Sequence, residues 1–63
     1  MDDGILSEME ASAEKLPERE QPYVRRFVQR LRDGHPKAER AFRQHKAGEL
    51  RAREAIMIGG VPD

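Results

Sequence analysis

Few residues in this 63-residue chain could carry out nucleophilic or acid–base chemistry. Its side-chain hydroxyl groups belong to Ser7, Ser12 and Tyr23, and its imidazoles belong to His35 and His45. A catalytic triad would need His45 beside Ser12 with a carboxylate behind the imidazole, and no spacing in the chain favours that arrangement. A chain this short also has little material for a pocket that excludes water. We therefore expect a protein that is not an enzyme.

Metal binding is the second chemistry that the residue types allow. His45 and Glu49 are four residues apart, so on a helix they would offer two ligands from one face. Two ligands on an exposed helix make an incomplete site, and the absence of cysteine excludes both thiolate zinc sites and disulfides. His35 is expected to be a solvent-exposed linker residue. The sequence therefore predicts no metal and no cofactor.

The third chemistry is charge, which is distributed unevenly. Residues 1–20 carry seven acidic and two basic side chains, whereas residues 21–53 carry ten basic and three acidic ones. The predicted basic face consists of Arg25, Arg26, Arg30, Arg40 and Arg43. It could orient an acidic protein partner or contact nucleic-acid phosphates. Because Tyr23, Phe27 and Phe42 all fall on apolar stripes, base-stacking aromatics are missing, so a protein partner is favoured and nucleic acid stays the alternative.

The first three of these arginines belong to a helix predicted from about Pro22 to Asp33. Four apolar side chains follow the i, i+3, i+4, i+7 spacing that is typical of a helix with one buried face: Val24, Phe27, Val28 and Leu31. Projection at about 100° per residue places the three arginines on the opposite, solvent-facing side. Gly34 supplies the left-handed residue that ends a helix, and Pro36 prevents its continuation.

Two further helices flank this one. The first is predicted over residues 5–16, with Ser7 and Glu10 as a capping box, and Pro17 ends it. The alternative is an earlier first turn that Asp2 or Asp3 caps. Residues 17–21 are predicted to form a tight turn or a single-turn helix. The third helix begins near Pro36 and extends at least to Lys46.

Gly48 interrupts the third helix in this prediction. Glycine is unfavourable inside a helix, and the apolar register changes after this position. We expect a break near Ala47 and Gly48, followed by a helical stretch from Glu49 to about Met57. The predicted fold class is therefore all-α, a small bundle of two to three helices with the third broken near Gly48.

The segment IMIGGVPD, residues 56–63, is predicted to be an apolar tail outside a single helical domain of residues 1–55. Its predicted anchor residues, which would enter a partner's pocket, are Ile56, Met57, Ile58 and Val61. Gly59 and Gly60 are expected to act as a flexible break. The alternative is a tail that folds back to complete the core.

Additional burial from a second chain is also expected. A domain of this size hides only about 60% of the surface that its unfolded chain exposes, and neither disulfides nor a metal support it. We therefore expect a homo-oligomer or a complex with another protein. No apolar run reaches the roughly 20 residues that span a bilayer, and the acidic start lacks a signal-peptide pattern. The expected setting is cytoplasmic, without membrane insertion.

Residues 16–34, LPEREQPYVRRFVQRLRDG, are similar to a segment of small bacterial antitoxin-like proteins. Those proteins have a leucine-proline-acid-x-x-glutamine opening and then an amphipathic helix with valine, phenylalanine and leucine at helical spacing, as Val24, Phe27 and Leu31 have here. The N-terminal strand or ribbon-helix-helix pattern with which many antitoxins bind DNA is missing. The resemblance implies a bacterial regulator that binds a protein partner. Two other non-catalytic hypotheses remain: a small accessory subunit of a complex, and a structural subunit of a larger assembly.

Overall fold

The computed structural model describes residues 3–62, which form four α-helices and one turn of 3-10 helix. In chain order these are α1 (Asp3–Ala13), the 3-10 turn η1 (Glu18–Glu20), α2 (Gln21–Asp33), α3 (Pro36–Lys46) and α4 (Ala52–Gly59). No strand occurs among these residues, so the all-α class is confirmed. The expected number of two to three helices is too low, because the stretch after Gly48 forms a separate fourth helix. Across the described residues, no helix has the length and apolar character needed to cross a membrane.

The turn between α2 and α3 follows the predicted chemistry. Gly34 has a left-handed φ of 74°, and its N–H donates to the Leu31 carbonyl at 3.2 Å. The His35 N–H donates to the Arg30 carbonyl at 2.8 Å, which completes the end of α2. The His35 side chain then caps α3, because its Nδ1 accepts the Lys37 N–H at 3.3 Å. His35 is thus a half-buried helix cap and not the exposed linker residue expected.

The break at Gly48 lies where it was predicted. Gly48 has a left-handed φ of 81°, and the Glu49 N–H donates to the Gln44 carbonyl at 2.9 Å. The helix after the break begins at Ala52 and not at Glu49, and in the connection before it the Leu50 carbonyl accepts a hydrogen bond from His45 Nδ1 at 2.9 Å. At the start of α4, Glu54 Oε1 accepts the Arg51 N–H at 2.9 Å.

Helix α1 already includes Asp3, the first described residue, and it ends at Ala13, earlier than predicted. Ser7 therefore lies inside the helix and not at its cap, as in the alternative with an earlier first turn. The side-chain amide of Gln21 closes the other end, since its Nε2 donates to the Ala13 carbonyl at 2.8 Å and to the Leu16 carbonyl at 3.1 Å. The single-turn helix predicted around Pro17 is present as η1.

The core lies where α4 meets the other three helices. Its buried members are Leu6, Met9, Ala13, Val24, Phe27, Leu31, Ala38, Ala41, Phe42, Ala55 and Ile56. Small side chains on α3 and α4, namely Ala38, Ala41 and Ala55, let these two helices approach closely. The structure places Ile56 to Gly59 inside α4, so the tail expected to begin at residue 56 is reduced to residues 60–62 of the described chain.

Candidate functional site

The predicted basic face does not form one surface, because two of its arginines hold the segment after α4. Arg30 Nη1 donates to the Gly59 carbonyl at 3.0 Å and to the Val61 carbonyl at 2.7 Å. Arg26 Nη1 donates to the Gly60 carbonyl at 2.6 Å. Arg30 is only 9% exposed, and Arg26 is half-buried. The prediction that Arg30 faces solvent is wrong. Residues 59–61 cover the flank of α2 that the helical projection placed in solvent.

The two glycines that these arginines hold are buried contact points. A Cβ on Gly59 would lie 2.5 Å from Phe27 Cδ1 and 3.1 Å from Ala38 Cα. A Cβ on Gly60 would overlap the backbone carbonyl oxygen of Tyr23. Glycine is therefore needed here for close backbone approach. The flexible break expected at this dipeptide is wrong, because both residues are packed against α2.

The other arginines of the predicted face are exposed and lie on different parts of the surface. Arg25 lines a groove between α1 and α2, and Arg43 is exposed on α3. The α1–α2 groove has a volume of about 330 Å³ and carries Glu10 and Glu14 as well as Arg25 and Arg32. Because both signs of charge line it, its electrostatic field is largely compensated.

Arg40 lines a second and larger depression, which we call the α3–α4 groove. It has a volume of about 610 Å³ and is lined by His35, Pro36, Lys37, Arg40, Ala41, Gln44 and Ile58. No carboxylate is among these residues. Lys37, Arg40, Ala41 and Gln44 have the i, i+3, i+4, i+7 spacing of one helix flank, so this spacing could have revealed the groove in the sequence.

The structure separates the four predicted anchor residues. Ile56 is 1% exposed and belongs to the core, whereas Ile58 is 46% exposed at the α3–α4 groove. Met57 and Val61 are half-buried. Ile58 also lines a shallow depression of about 370 Å³ on the outer side of α4, together with Arg53, Glu54 and Met57. Ile58 is therefore the apolar residue between two adjoining depressions.

An ion pair between Glu20 of η1 and Arg53 joins η1 to α4. Arg53 Nη2 contacts Glu20 Oε1 at 2.5 Å, and Arg53 Nε donates to Glu20 Oε2 at 3.4 Å. The Glu20 side chain is 9% exposed, while that of Arg53 is 61% exposed. The hydrogen bond from Arg53 lowers the pKa of Glu20, and the same bond raises the pKa of Arg53.

The described residues contain no cluster of three or more histidine, cysteine or acidic side chains that could hold a metal ion. His45 uses its Nδ1 to donate to the Leu50 carbonyl, as described above. Among the side chains of residues 4–62, every buried nitrogen and oxygen has a hydrogen-bond partner. Comparison with protein-family models, curated proteins and solved structures finds no match for the chain.

Proposed function

We propose that this protein is a non-catalytic interaction module that binds another protein through the α3–α4 groove. The observation that carries the proposal is the exposure of Ile58, at 46%, beside a groove of about 610 Å³. A large apolar side chain beside a concave surface can bury its exposed area in a partner, and a few well-buried residues dominate the energy of a typical interface. Among the predicted anchors, Ile58 is the principal contact and Met57 extends it.

The resemblance of residues 16–34 to antitoxin-like proteins supports a regulatory role for such a module. In this chain that segment forms η1 and α2, which hold α4 through Glu20, Arg26 and Arg30. The resembling segment therefore positions the helix that carries Ile58. A bacterial, cytoplasmic regulator or a small accessory subunit of a complex is the function proposed.

Nucleic-acid binding is the second candidate. It is favoured by Lys37, Arg40 and Arg43, which are all exposed along α3. Phosphate contacts of this kind would weaken steeply as salt rises, because binding releases condensed counterions. Apolar docking at Ile58 would resist salt, so the two candidates make opposite predictions.

The test is capture from native cell lysate with three purified chains: wild type, Ile58→Ser and Val28→Ser. Val28 is the matched control, because it is a partly buried aliphatic residue that lines the α1–α2 groove. We expect a protein that survives a high-salt wash with wild type and Val28→Ser and is lost with Ile58→Ser. Equal capture by all three chains would contradict the proposed site. Nucleic acid that is released by the high-salt wash would establish the second candidate instead.

A further inference from the structure

We infer that the occupant of the α3–α4 groove is an acidic segment of a partner protein that carries one large aliphatic or aromatic side chain. This inference rests on the proposed function and adds the chemistry of the partner. It follows from three observations. Two concern the groove, namely the sign of its charge and the position of its apolar residues. The third is the composition of this chain's own acidic helix, α1.

The charge of the groove is positive and uncompensated by its own walls. Lys37 and Arg40 are exposed and lie three residues apart on the same flank of α3, and no lining residue is acidic. The α1–α2 groove differs, because Glu10 and Glu14 line it together with its arginines. An anionic occupant is therefore attracted to the α3–α4 groove specifically.

The two carboxylates of α3 and α4 lie outside the lining of the groove, although Glu54 is four residues from Ile58 and lines the adjoining depression with it. Glu39 projects from the opposite flank of α3 by the helical projection of about 100° per residue. Glu54 lies on the outer side of α4, where its carboxylate accepts the Arg51 N–H at 2.9 Å. Neither lines the groove.

The apolar half of the groove sets the second requirement for the occupant. Ile58 stands opposite Pro36 and Ala41, which are carried by the start and the middle of α3. A large apolar side chain inserted between them would remove apolar surface of Ile58 from water, while carboxylates on either side of it would meet Lys37 and Arg40. Gln44 offers an amide that can fix the occupant's backbone.

The acidic helix of a second copy lacks that combination. Helix α1 exposes Glu8, Glu10 and Glu14, but the large apolar side chains Leu6 and Met9 of the same helix are buried. An α1 that entered the groove would bring charge without an apolar anchor. We therefore assign the groove to a segment of a different protein, and docking of a second copy through Ile58 and Glu54 of its α4 is the competing outcome of the test.

The test uses the intact chain and two synthetic amphipathic peptides of about 15 residues, long enough to form a helix on binding. The first carries leucines at helical spacing and glutamates elsewhere, and the second has lysines in place of the glutamates. Fluorescence anisotropy measures each Kd, and NMR shift changes of the isotope-labelled chain locate the contact. We expect the glutamate peptide to bind about tenfold or more tightly than the lysine peptide, with shift changes at Lys37, Arg40 and Ile58. Shift changes confined to the α1–α2 groove would overturn the inference.

Charge reversal tests the same point on the protein and on the natural partner. The double variant Lys37→Glu/Arg40→Glu changes two exposed residues, and Arg25→Glu/Arg32→Glu is its matched control in the α1–α2 groove. We expect the first to weaken glutamate-peptide binding about tenfold and to abolish lysate capture, and the second to change neither. If Ile58→Ser abolishes capture while both charge reversals leave it intact, the proposed function stands and the acidic occupant is refuted. A dimer that Ile58→Ser dissociates in sedimentation equilibrium would instead identify the occupant as a second copy.

Discussion

Arg30 and Arg32 lie two residues apart on α2 and have different roles. Arg30 is 9% exposed and donates to carbonyls of residues 59 and 61, whereas Arg32 is exposed at the rim of the α1–α2 groove. Their types are identical, so only the tertiary partner distinguishes them. That partner lies 29 to 31 residues along the chain, beyond the reach of any local pattern.

Replacing Arg30 by alanine removes two charge-assisted hydrogen bonds from the segment after α4. We expect Arg30→Ala to lower the free energy of unfolding by about 2 kcal/mol, since bonds to charged groups contribute about 1.5–3 kcal/mol. Arg32→Ala is the matched control and is expected to change it by less than about 0.5 kcal/mol. Urea denaturation of both variants checks the prediction, and equal effects would show that Arg30 has no special role.

Gly60→Ala tests the close approach of the backbone to α2. A Cβ at this position overlaps the Tyr23 carbonyl oxygen, so α4 must shift away from α2. We expect a loss of about 1–3 kcal/mol, as for other overpacked sites. The control is Gly4→Ala in α1, where a Cβ meets nothing within 4 Å and the change is expected to be neutral or slightly stabilising. Thermal melts of the two variants should therefore move in different directions or by clearly different amounts.

At the scale of elements, α4 is the helix that the others position. It packs against α1, α2 and α3, and the ion pair with η1 and the two arginines of α2 hold it from two sides. The exposed face that remains carries Met57 and Ile58. The proposed binding surface therefore depends on contacts that no part of α4 makes alone.

The Glu20–Arg53 pair makes the attachment of α4 sensitive to acid. Arg53 lowers the pKa of Glu20 in the folded state, so the unfolded state binds protons more readily. Stability from this pair is present at neutral pH and is lost as pH falls below the ordinary carboxyl range, near about 4, and through the lowered pKa. We expect Glu20→Gln to lower the melting temperature at pH 7 and to reduce its acid dependence. Glu18→Gln, an exposed carboxylate in the same turn, is the control whose acid dependence should match wild type.

Truncation after Ala55 tests whether residues 56–62 belong to the fold. The truncated chain loses Ile56, which is 1% exposed, together with the three carbonyls that Arg26 and Arg30 bind. Removing a buried large aliphatic side chain alone costs about 2–5 kcal/mol. We expect loss of the cooperative melt and of most helical circular dichroism. A truncated chain that stayed folded would support the prediction that residues 56–63 form a separate binding segment outside the domain.

The sequence predicted the middle of this fold better than its ends. The apolar spacing in α2 and α3 and the glycines at 34 and 48 give these helices nearly their observed bounds, because periodicity and left-handed glycines are local signals. The role of Gly59 and Gly60 was not predictable in this way. Glycine is equally common in flexible segments and at close contacts, and only the neighbouring helix distinguishes the two.

The candidate site was predictable in part for a similar reason. Ile58 and Arg40 were among the predicted contacts and do line one groove, whereas Ile56 and Arg30 are internal. Lys37 and Gln44 were missed, although their spacing with Arg40 follows one flank of α3. The spacing of residues in the sequence could not predict that α4 lies beside this flank of α3. That position depends on packing between residues that are distant in the chain.

At the scale of the whole molecule, the acidic and basic halves of the chain meet only in part. Glu10 and Glu14 of acidic α1 line the α1–α2 groove together with its arginines, while no carboxylate lines the α3–α4 groove that carries Lys37 and Arg40. Although the net charge of the chain is zero, both signs of charge line the α1–α2 groove and only positive charge lines the α3–α4 groove. This polarity favours an acidic partner over self-association.

The melting temperature of the isolated chain should therefore not depend on its concentration. We expect it to stay constant over about a hundredfold dilution, because in the proposed function the partner is a different protein and not a second copy. Scanning calorimetry or fluorescence melts across that range check this expectation. A melting temperature that falls on dilution would instead support the homo-oligomer predicted from the small size of the core.

The contacts of α4 with every other helix also bear on how the chain folds during translation. A nascent chain that has released only α1 to α3 from the ribosome still exposes the sides of Phe27 and Ala38 that Gly59 later covers. It also lacks the carbonyls that bind Arg26 and Arg30. We therefore expect the first three helices to complete their packing only when α4 is available to them. A nascent chain from which α4 has not yet emerged would keep this apolar surface exposed to chaperones and proteases.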